Sequence, residues 1–558
     1  MEFGIDLGTT QSSIAYIDDT GRPVVVKSAL GEDTTPSAVF FESPRHAVIG
    51  RAACDEALLT PDLVAQLVKR DMGTAATYTF HGERHTPETV SALILRELAR
   101  VAAAQSGQPV EEVLITVPAN FGIAEREATR RAGELAGLVV LDVLDEPVAA
   151  GIHYTAVKGP AAPPKHALMC DLGGGTFDTA VIRLSGDDVT VVCIDGDARL
   201  GGADWDRAIA DFLLKQFERE HPGLHPEQDP QFMQDLLIAA ERLKKELSSA
   251  QSRRHMLRLG GRTTVVELTR SAAEDLTAGL LSRMVEVIDR TVVTARTKGV
   301  THFDDVLLVG GMSWFPAVPR ALRDRLGVDP ERHEPELAVT KGAARYARAF
   351  RARSADPIRS ASGSAPTARA ASSPAPAPAA AAAPGSASAA TDAASGLRRL
   401  AAARIAGVVP RAFGVLGIDG SDPVAFTDPM RARRMVVHLL LANTELPADT
   451  GPYSFATSID NQRMVEIEVW EQAGPELSDD LAANRKVGRG MLRDLPAHLP
   501  ARSPIEVTFF MSETGRLTVH AKEQQSSSDV RFELQIGDFD SSRLRQARQT
   551  VADYEVDS

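Results

Sequence analysis

The sequence predicts a layered α/β domain, a low-complexity linker and an all-β sandwich, in that order. Three features carry this prediction. Residues 1–352 alternate short apolar runs, each ending in a polar or glycine-rich turn, with longer segments of helical periodicity, the pattern of an α/β core. The stretch that follows is dominated by Ala, Ser and Pro and holds few large apolar side chains, which sets a linker at 353–404. Residues 405–537 alternate apolar and polar side chains at a period of two between turn signals, as half-buried antiparallel strands do.

In the first part, strands are expected at residues 2–6, 113–117, 139–144, 166–171 and 306–309, and helices at 124–136, 204–217, 232–247, 271–296, 316–325 and 338–350. In the linker, the alanine run 379–383 lies between Pro378 and Pro384. Isolated helices under about 12–15 residues are marginal in water, so the stretch is expected to be disordered. As a flexible coil, residues 356–396 span roughly 35 Å. In the third part, Met464-Val465-Glu466-Ile467-Glu468-Val469 and Ile505-Glu506-Val507-Thr508-Phe509 alternate strictly, with turn signals at 418–420 and 513–515. Residues 538–558 are expected to form one short helix or a tail.

The 558 residues are 44% hydrophobic and 24% charged, the balance of a soluble globular protein. Asp and Glu number 75 against 61 Lys and Arg, a net charge of −14. That argues against a nucleic-acid partner, because phosphate backbones need a basic footprint. Cys54, Cys170 and Cys193 have neither metal-ligand nor CxxC spacing and read as thiols of a reducing cytoplasm. His81 and His85 are four apart, but Pro87 and the polar context suggest a loop. The opening residues run straight into a strand with no secretory pattern. No apolar run reaches the about 18 residues of a membrane span. A cytoplasmic protein without a membrane partner is expected.

Two Asp-containing glycine turns are far apart in sequence: Gly4-Ile5-Asp6-Leu7-Gly8-Thr9-Thr10 and Asp171-Leu172-Gly173-Gly174-Gly175-Thr176-Phe177-Asp178. Each follows one apolar strand and precedes another. Glycines let successive backbone N–H groups approach a phosphate and form an anion nest. An Asp at the strand end brings a carboxylate to the Mg²⁺ that travels with a nucleotide, and Mg²⁺ keeps most of its waters. One such turn is usually only a turn; two with the same Asp and Thr point to phosphate. Neither fits the Walker or the dinucleotide-binding pattern. A third glycine pair, Gly310-Gly311, joins a strand to a helix N-terminus, where a ligand can reach the backbone.

The stretches GIDLGTTQS, DLGGGTFD, GDARLGGADWD and LLVGG resemble the phosphate and adenosine motifs of the actin-like ATPase superfamily, and VPANF, DEPVAA and AERLKKELSS narrow the resemblance to the heat shock protein 70 (DnaK-type) family. The resemblance covers residues 1–350 and implies two lobes closing over ATP and Mg²⁺. It implies that Asp6 and Asp171 lie around Mg²⁺, through water, and that Gly8, Thr9, Thr10, Gly173, Gly174, Gly175 and Thr176 surround the phosphates. Lys69 matches the catalytic lysine, Glu146 the glutamate beside the hydrolytic site, and Asp178 a second nearby carboxylate. Asp171 and Thr176 join Lys69 and Glu146 in the catalytic set. Around the base and ribose the matching positions are Gly201, Gly202, Glu241, Lys244, Lys245, Ser248, Gly310, Gly311, Met312 and Trp314. The adenine end departs from the family: Lys245 stands where arginine commonly packs on the base, Met312 and Trp314 where serine and arginine flank it, Gln11 where an aromatic is usual and Ala203 where glutamate is usual. The segment 71–86 is also short for the family.

The third part resembles the family's peptide-binding sandwich through VLGIDG, SFATSIDNQRMVEIEV, DLAANRKVGRGMLRDLP and PIEVTFFMSETGRLTVHAK. An extended apolar segment of an unfolded polypeptide is the implied ligand. Ile418, Phe455, Val465 and Ile467 match its pocket, and Ser421 and Ser458 the arch over it. Half the apolar residues of such strands are core in any case. The helical lid of the family is not expected in residues 538–558, and the ending YEVDS, which resembles the family's acidic tail motif, is read as coincidence. Pro118 and Arg126 match the family's interdomain relay, and Gly407-Val408-Val409-Pro410 resembles its linker. A spacer of some forty residues ahead of that linker is expected to act as a long tether and weaken docking. The implied activity is an ATPase coupled to protein folding and the stress response, with a J-domain co-chaperone and a nucleotide exchange factor as partners. Two alternatives stand: a scaffold or holdase with little turnover, and a small-molecule kinase on the same fold.

Overall fold

The structure is a computed structural model, and it describes residues 1–354, 399–400, 402–524, 529–534 and 541–558. Most of the linker expected at 353–404 lies outside the described residues. The first 354 residues form two α/β lobes. In the first, the strand order is Val139–Asp145, Glu112–Val117, Phe3–Asp6, Gln11–Ile17 and Pro23–Val25. Phe3–Asp6 pairs parallel to Glu112–Val117 and antiparallel to Gln11–Ile17, so Asp6 ends its strand at the turn Leu7–Thr10. The second lobe repeats this hairpin. Ala161–Leu172 pairs antiparallel to Phe177–Gly186 and parallel to Asp305–Val309, which brings Asp171 to an equivalent strand end.

Helices Glu146–Lys158 and Ala338–Ser354 cross between the sheets. Small residues make the crossing possible: a Cβ on Gly342 would lie 1.8 Å from the carbonyl oxygen of Ala149, and one on Gly4 would lie 2.2 Å from the amide of Ala344. The helix Pro87–Ser106 backs the first lobe. Thr86 caps it reciprocally with Thr89, and Gly107 ends it at φ +67°, a left-handed position that glycine takes without strain.

The structure departs from several expectations. The helix expected at 271–296 is two helices, Arg270–Leu276 and Ala278–Thr297. Buried Thr277 turns its hydroxyl back onto the Ala273 carbonyl at 2.8 Å, a side-chain bond that competes with the helical ladder. The short segment 71–86 holds a hairpin, Tyr78–Phe80 with Glu83–His85, so His85 closes a strand and is buried. Among the described residues, no helix is long and apolar enough to cross a membrane.

Residues 405–524 and 529–534 build two facing sheets. One runs Arg434–Leu440, Phe413–Ile418, Val465–Gln472 and Asn484–Leu492. The other is centred on Pro504–Met511 and Leu517–Glu523, and between the two Phe413, Val415, Val469, Phe509 and Val519 are buried. Alternation along each strand supplies this core, as period-two patterning requires.

The sandwich is docked on the α/β domain. Ile405–Ala406 extends the second lobe's sheet, pairing parallel to Asp188–Asp197. Leu400, Ala403 and Val408 pack into the core of the α/β domain, while Val409 packs into that of the sandwich. The Arg353 guanidinium donates to the carbonyls of Leu400 and Ala403 at 2.9 and 2.5 Å. Residues on either side of the linker are therefore in direct contact, which corrects the expected long tether: the number of residues between Arg353 and Leu400 does not set the distance from sandwich to α/β domain. At the C-terminus, Ser541–Asp553 is a helix, and Glu555–Asp557 is a strand added to the first lobe, which a single short helix did not foresee.

Candidate functional site

A cleft of about 860 Å³ separates the lobes. Its floor comes from the two hairpin turns. A Cβ on Gly174 would lie 2.1 Å from the Thr10 hydroxyl, and one on Gly175 would lie 2.3 Å from that of Thr9, so only glycine lets the turns face each other this closely. Gly310 sits at φ +82°, and a Cβ there would meet the Leu172 carbonyl oxygen at 2.3 Å.

Lys69 enters the floor from a one-turn helix, Val68–Asp71, aimed by Leu67 at φ +58°. Its ammonium donates to Glu146 Oε1 at 2.6 Å, and both side chains are buried. Asp171 and Asp178 are buried beside this pair, and Asp6 is half-buried at the cleft. Burial first and the Glu146 charge second push Asp6 up to about 7 and Asp178 up to about 8, and the same two causes raise Asp171 well above the usual carboxylate range. Burial works against the Lys69 ammonium, but Glu146 and Asp6 hold its pKa above the ordinary lysine value. Asp178 accepts from the Asn120 amide at 3.2 Å, and its Oδ2 has no hydrogen-bond partner. Four acidic groups on one ammonium, next to a cradle a Cβ would fill, fit a phosphate accompanied by a cation.

Of the residues expected around the nucleotide, Asp6, Gly8, Thr9, Thr10, Lys69, Glu146, Asp171, Gly173, Gly174, Gly175, Thr176, Gly202, Glu241, Lys244, Lys245, Ser248, Gly310, Gly311, Met312 and Trp314 all line the cleft. Gly201 and Asp178 lie behind that lining. Gly201 packs on the turn itself, where a Cβ would be 2.5 Å from the Gly175 amide. Lys244 is held by the Gly202 carbonyl at 2.9 Å and by Asp206 at 2.8 Å. Lys245 pairs with Glu241 at 2.7 Å. Met312 is buried and Trp314 is 48% exposed.

Two arginines escaped the sequence reading. Arg70 donates to the Gly175 carbonyl at 2.8 Å and to Asp204 at 2.5 Å, joining the lobes beside the phosphate turn. Arg332 lies 4.9 Å above the Trp314 ring, which brings a guanidinium to the base end. The neighbour of each is remote in sequence, so no local pattern announced it.

A second cavity, of about 1130 Å³, opens in the sandwich. Ile418, Phe455, Ser458, Val465 and Ile467 line it; Ser421 does not. Ser421 folds onto Asp419, its hydroxyl donating at 2.6 Å. Ile467 is buried in the sandwich core, whereas Ile418, Phe455 and Val465 are half-buried and face the cavity.

Contacts across the interdomain face link residues beside Glu146 to the sandwich. Arg126 pairs with Asp145, the neighbour of Glu146, and donates to the Phe121 carbonyl at 2.9 Å. The Phe121 amide donates in turn to the Pro118 carbonyl at 3.1 Å. Glu125, next in the chain, accepts two bonds of 3.0 Å from Arg485 of the sandwich, and Arg485 also donates to Glu471 at 2.8 Å. Glu471 is fully buried and accepts from the Ile123 amide at 2.9 Å.

A family model described as Hsp70 protein matches residues 2–356. That is more than half of the chain, it coincides with the two-lobed cleft, and the chain belongs to the heat shock protein 70 family.

Proposed function

We propose that the protein is an ATP-hydrolysing chaperone, dependent on Mg²⁺, that binds extended apolar segments of unfolded polypeptide. Members of the family are generally ATPases that engage such polypeptides. The observation that carries the reading for this chain is the buried Lys69–Glu146 pair at the foot of the glycine cradle. Bound Mg·ATP would supply a γ-phosphoryl group with its charge already partly neutralised. The chain's part is then positioning and electrostatics. Backbone amides of the two turns and the hydroxyls of Thr9, Thr10 and Thr176 hold the phosphates. Lys69 stabilises charge on the transferred group, and Glu146 orients the ammonium and a water beside it. Asp6 and Asp171 would hold the cation through waters of its own shell, since Mg²⁺ keeps most of its waters. Half-buried Ile418, Phe455 and Val465 receive an apolar side chain of the peptide. A J-domain co-chaperone and a nucleotide exchange factor are the partners that fit this cycle.

Steady-state phosphate release, measured with and without an apolar peptide, tests the proposal. Turnover that peptide changes supports it. Nucleotide binding without turnover leaves a scaffold or holdase, and transfer to a sugar leaves a kinase.

A further inference from the structure

The C-terminal segment folds onto the first lobe rather than onto the sandwich that precedes it. Glu555, Val556 and Asp557 pair parallel with His46, Ala47 and Val48, at what is otherwise the outer edge of that small sheet. The Glu555 amide donates to the Arg45 carbonyl at 2.8 Å. Val551, Tyr554 and Val556 are buried in the first lobe's core. The Tyr554 ring meets Phe41 and His85, each at 5.8 Å between centroids. Arg96 donates to the carbonyls of both Val551 and Tyr554, and His46 is 2.9 Å from Asp557. Three buried side chains, a strand pairing and a guanidinium on two backbone carbonyls make a built site for an extended C-terminal segment, the mode in which a sheet edge takes an added strand.

We infer that the first lobe carries a binding site for a C-terminal segment, that this chain's own residues 541–558 are its occupant, and that the tail so bound holds the sandwich on the ATPase domain at a second point besides residues 399–409. Chain length supports the cis arrangement. From Leu534, at the end of the sandwich, to Ser541 there are seven residue steps, a reach of at most about 25 Å. A seated tail therefore keeps the sandwich within that distance of the lobe. An anchor at each end raises the effective concentration of the docking faces without any new contact between them.

Hydrogen exchange on the full chain and on its Val556→Asp variant tests the inference. The expected result is exchange about tenfold or more faster at residues 46–49 and also at the docking face, residues 119–125 and 405–412. Arg96→Ala, which leaves the tail and the apolar core intact, is expected to shift both regions in the same direction. A synthetic peptide of residues 541–558, added in excess to the Val556→Asp chain, is expected to restore slow exchange at 46–49 but not at the docking face, because it has no covalent link to the sandwich. Unchanged exchange at 46–49 in both variants, or a peptide that fails to restore it, would overturn the site. Faster exchange confined to 46–49 would make the tail a local buttress and overturn the anchor. Protection at 46–49 that falls on dilution of the unmodified chain would assign the occupant to a second copy and overturn the cis arrangement.

Discussion

Lys69 faces Glu146 at 2.6 Å, with buried Asp171 and Asp178 and half-buried Asp6 around the pair. On the proposed function, Lys69 acts on charge that develops during transfer more than on the bound nucleotide. Lys69→Ala is therefore expected to slow single-turnover hydrolysis by about 10²–10³ while calorimetry finds nucleotide affinity little changed; wild-type turnover would refute the role. The carboxylates give a second expectation. With Asp6 raised to about 7 and Asp178 to about 8, the ligand-free cleft is expected to hold protons at neutral pH that a bound cation makes unfavourable. Adding Mg²⁺ to the protein with ADP at pH 7 is expected to release about one proton, seen as a binding enthalpy that varies with the buffer's ionisation enthalpy. The sign follows from the direction of the shifts: release fades at a pH well above the pKa values of Asp6, Asp171 and Asp178, where the carboxylates are already ionised. An enthalpy independent of buffer at pH 7 would contradict the protonated cleft.

At the scale of elements, Arg485 is a bridge between domains. It bridges Glu125 on the helix Ile123–Leu135 and fully buried Glu471 on the strand Val465–Gln472. Burial alone would raise the Glu125 carboxyl; Arg411 and Arg485 reverse this and hold it below its ordinary value. Removing one partner of a buried ion pair typically costs about 3–5 kcal/mol. Undocking relieves that cost by returning both carboxylates to water. Arg485→Ala is accordingly expected to undock the sandwich, raising amide exchange at Ile123 and abolishing any effect of peptide on ATPase rate. Retained protection at Ile123 would show that the bridge is dispensable.

Sequence reading recovers elements whose signal is local. The glycine turns at 6–10 and 171–178 sit where their spacing put them, because only glycine permits the close approach of the two turns. The helix Pro87–Ser106 is buried nearly all round, Glu88 and Glu97 included, which erases the one-sided periodicity that reveals a surface helix. Arg70 reaches Gly175 and Asp204 across more than a hundred residues, and the strand Glu555–Asp557 is three residues long with polar ends. Their roles are fixed by tertiary partners, which local spacing does not encode.

For the whole molecule, the decisive feature is that Arg353 binds Leu400 and Ala403. The chain's departure and return are tied together, so docking is governed by residues 399–409 and by the interdomain face. Deleting residues 357–392 is expected to leave peptide-dependent ATPase stimulation as it is or slightly stronger, since each halving of a loop recovers only ~0.6 kcal/mol. Stimulation that appears only after the deletion would show instead that the intervening residues hold the domains apart. A stretch whose two ends are held together through Arg353 and Leu400 can lengthen or shorten at small cost in closure entropy. For protein engineering it is a socket: a foreign domain with adjacent termini, spliced between residues 370 and 385, should ride on this chaperone as a passenger and report on it without entering its cycle.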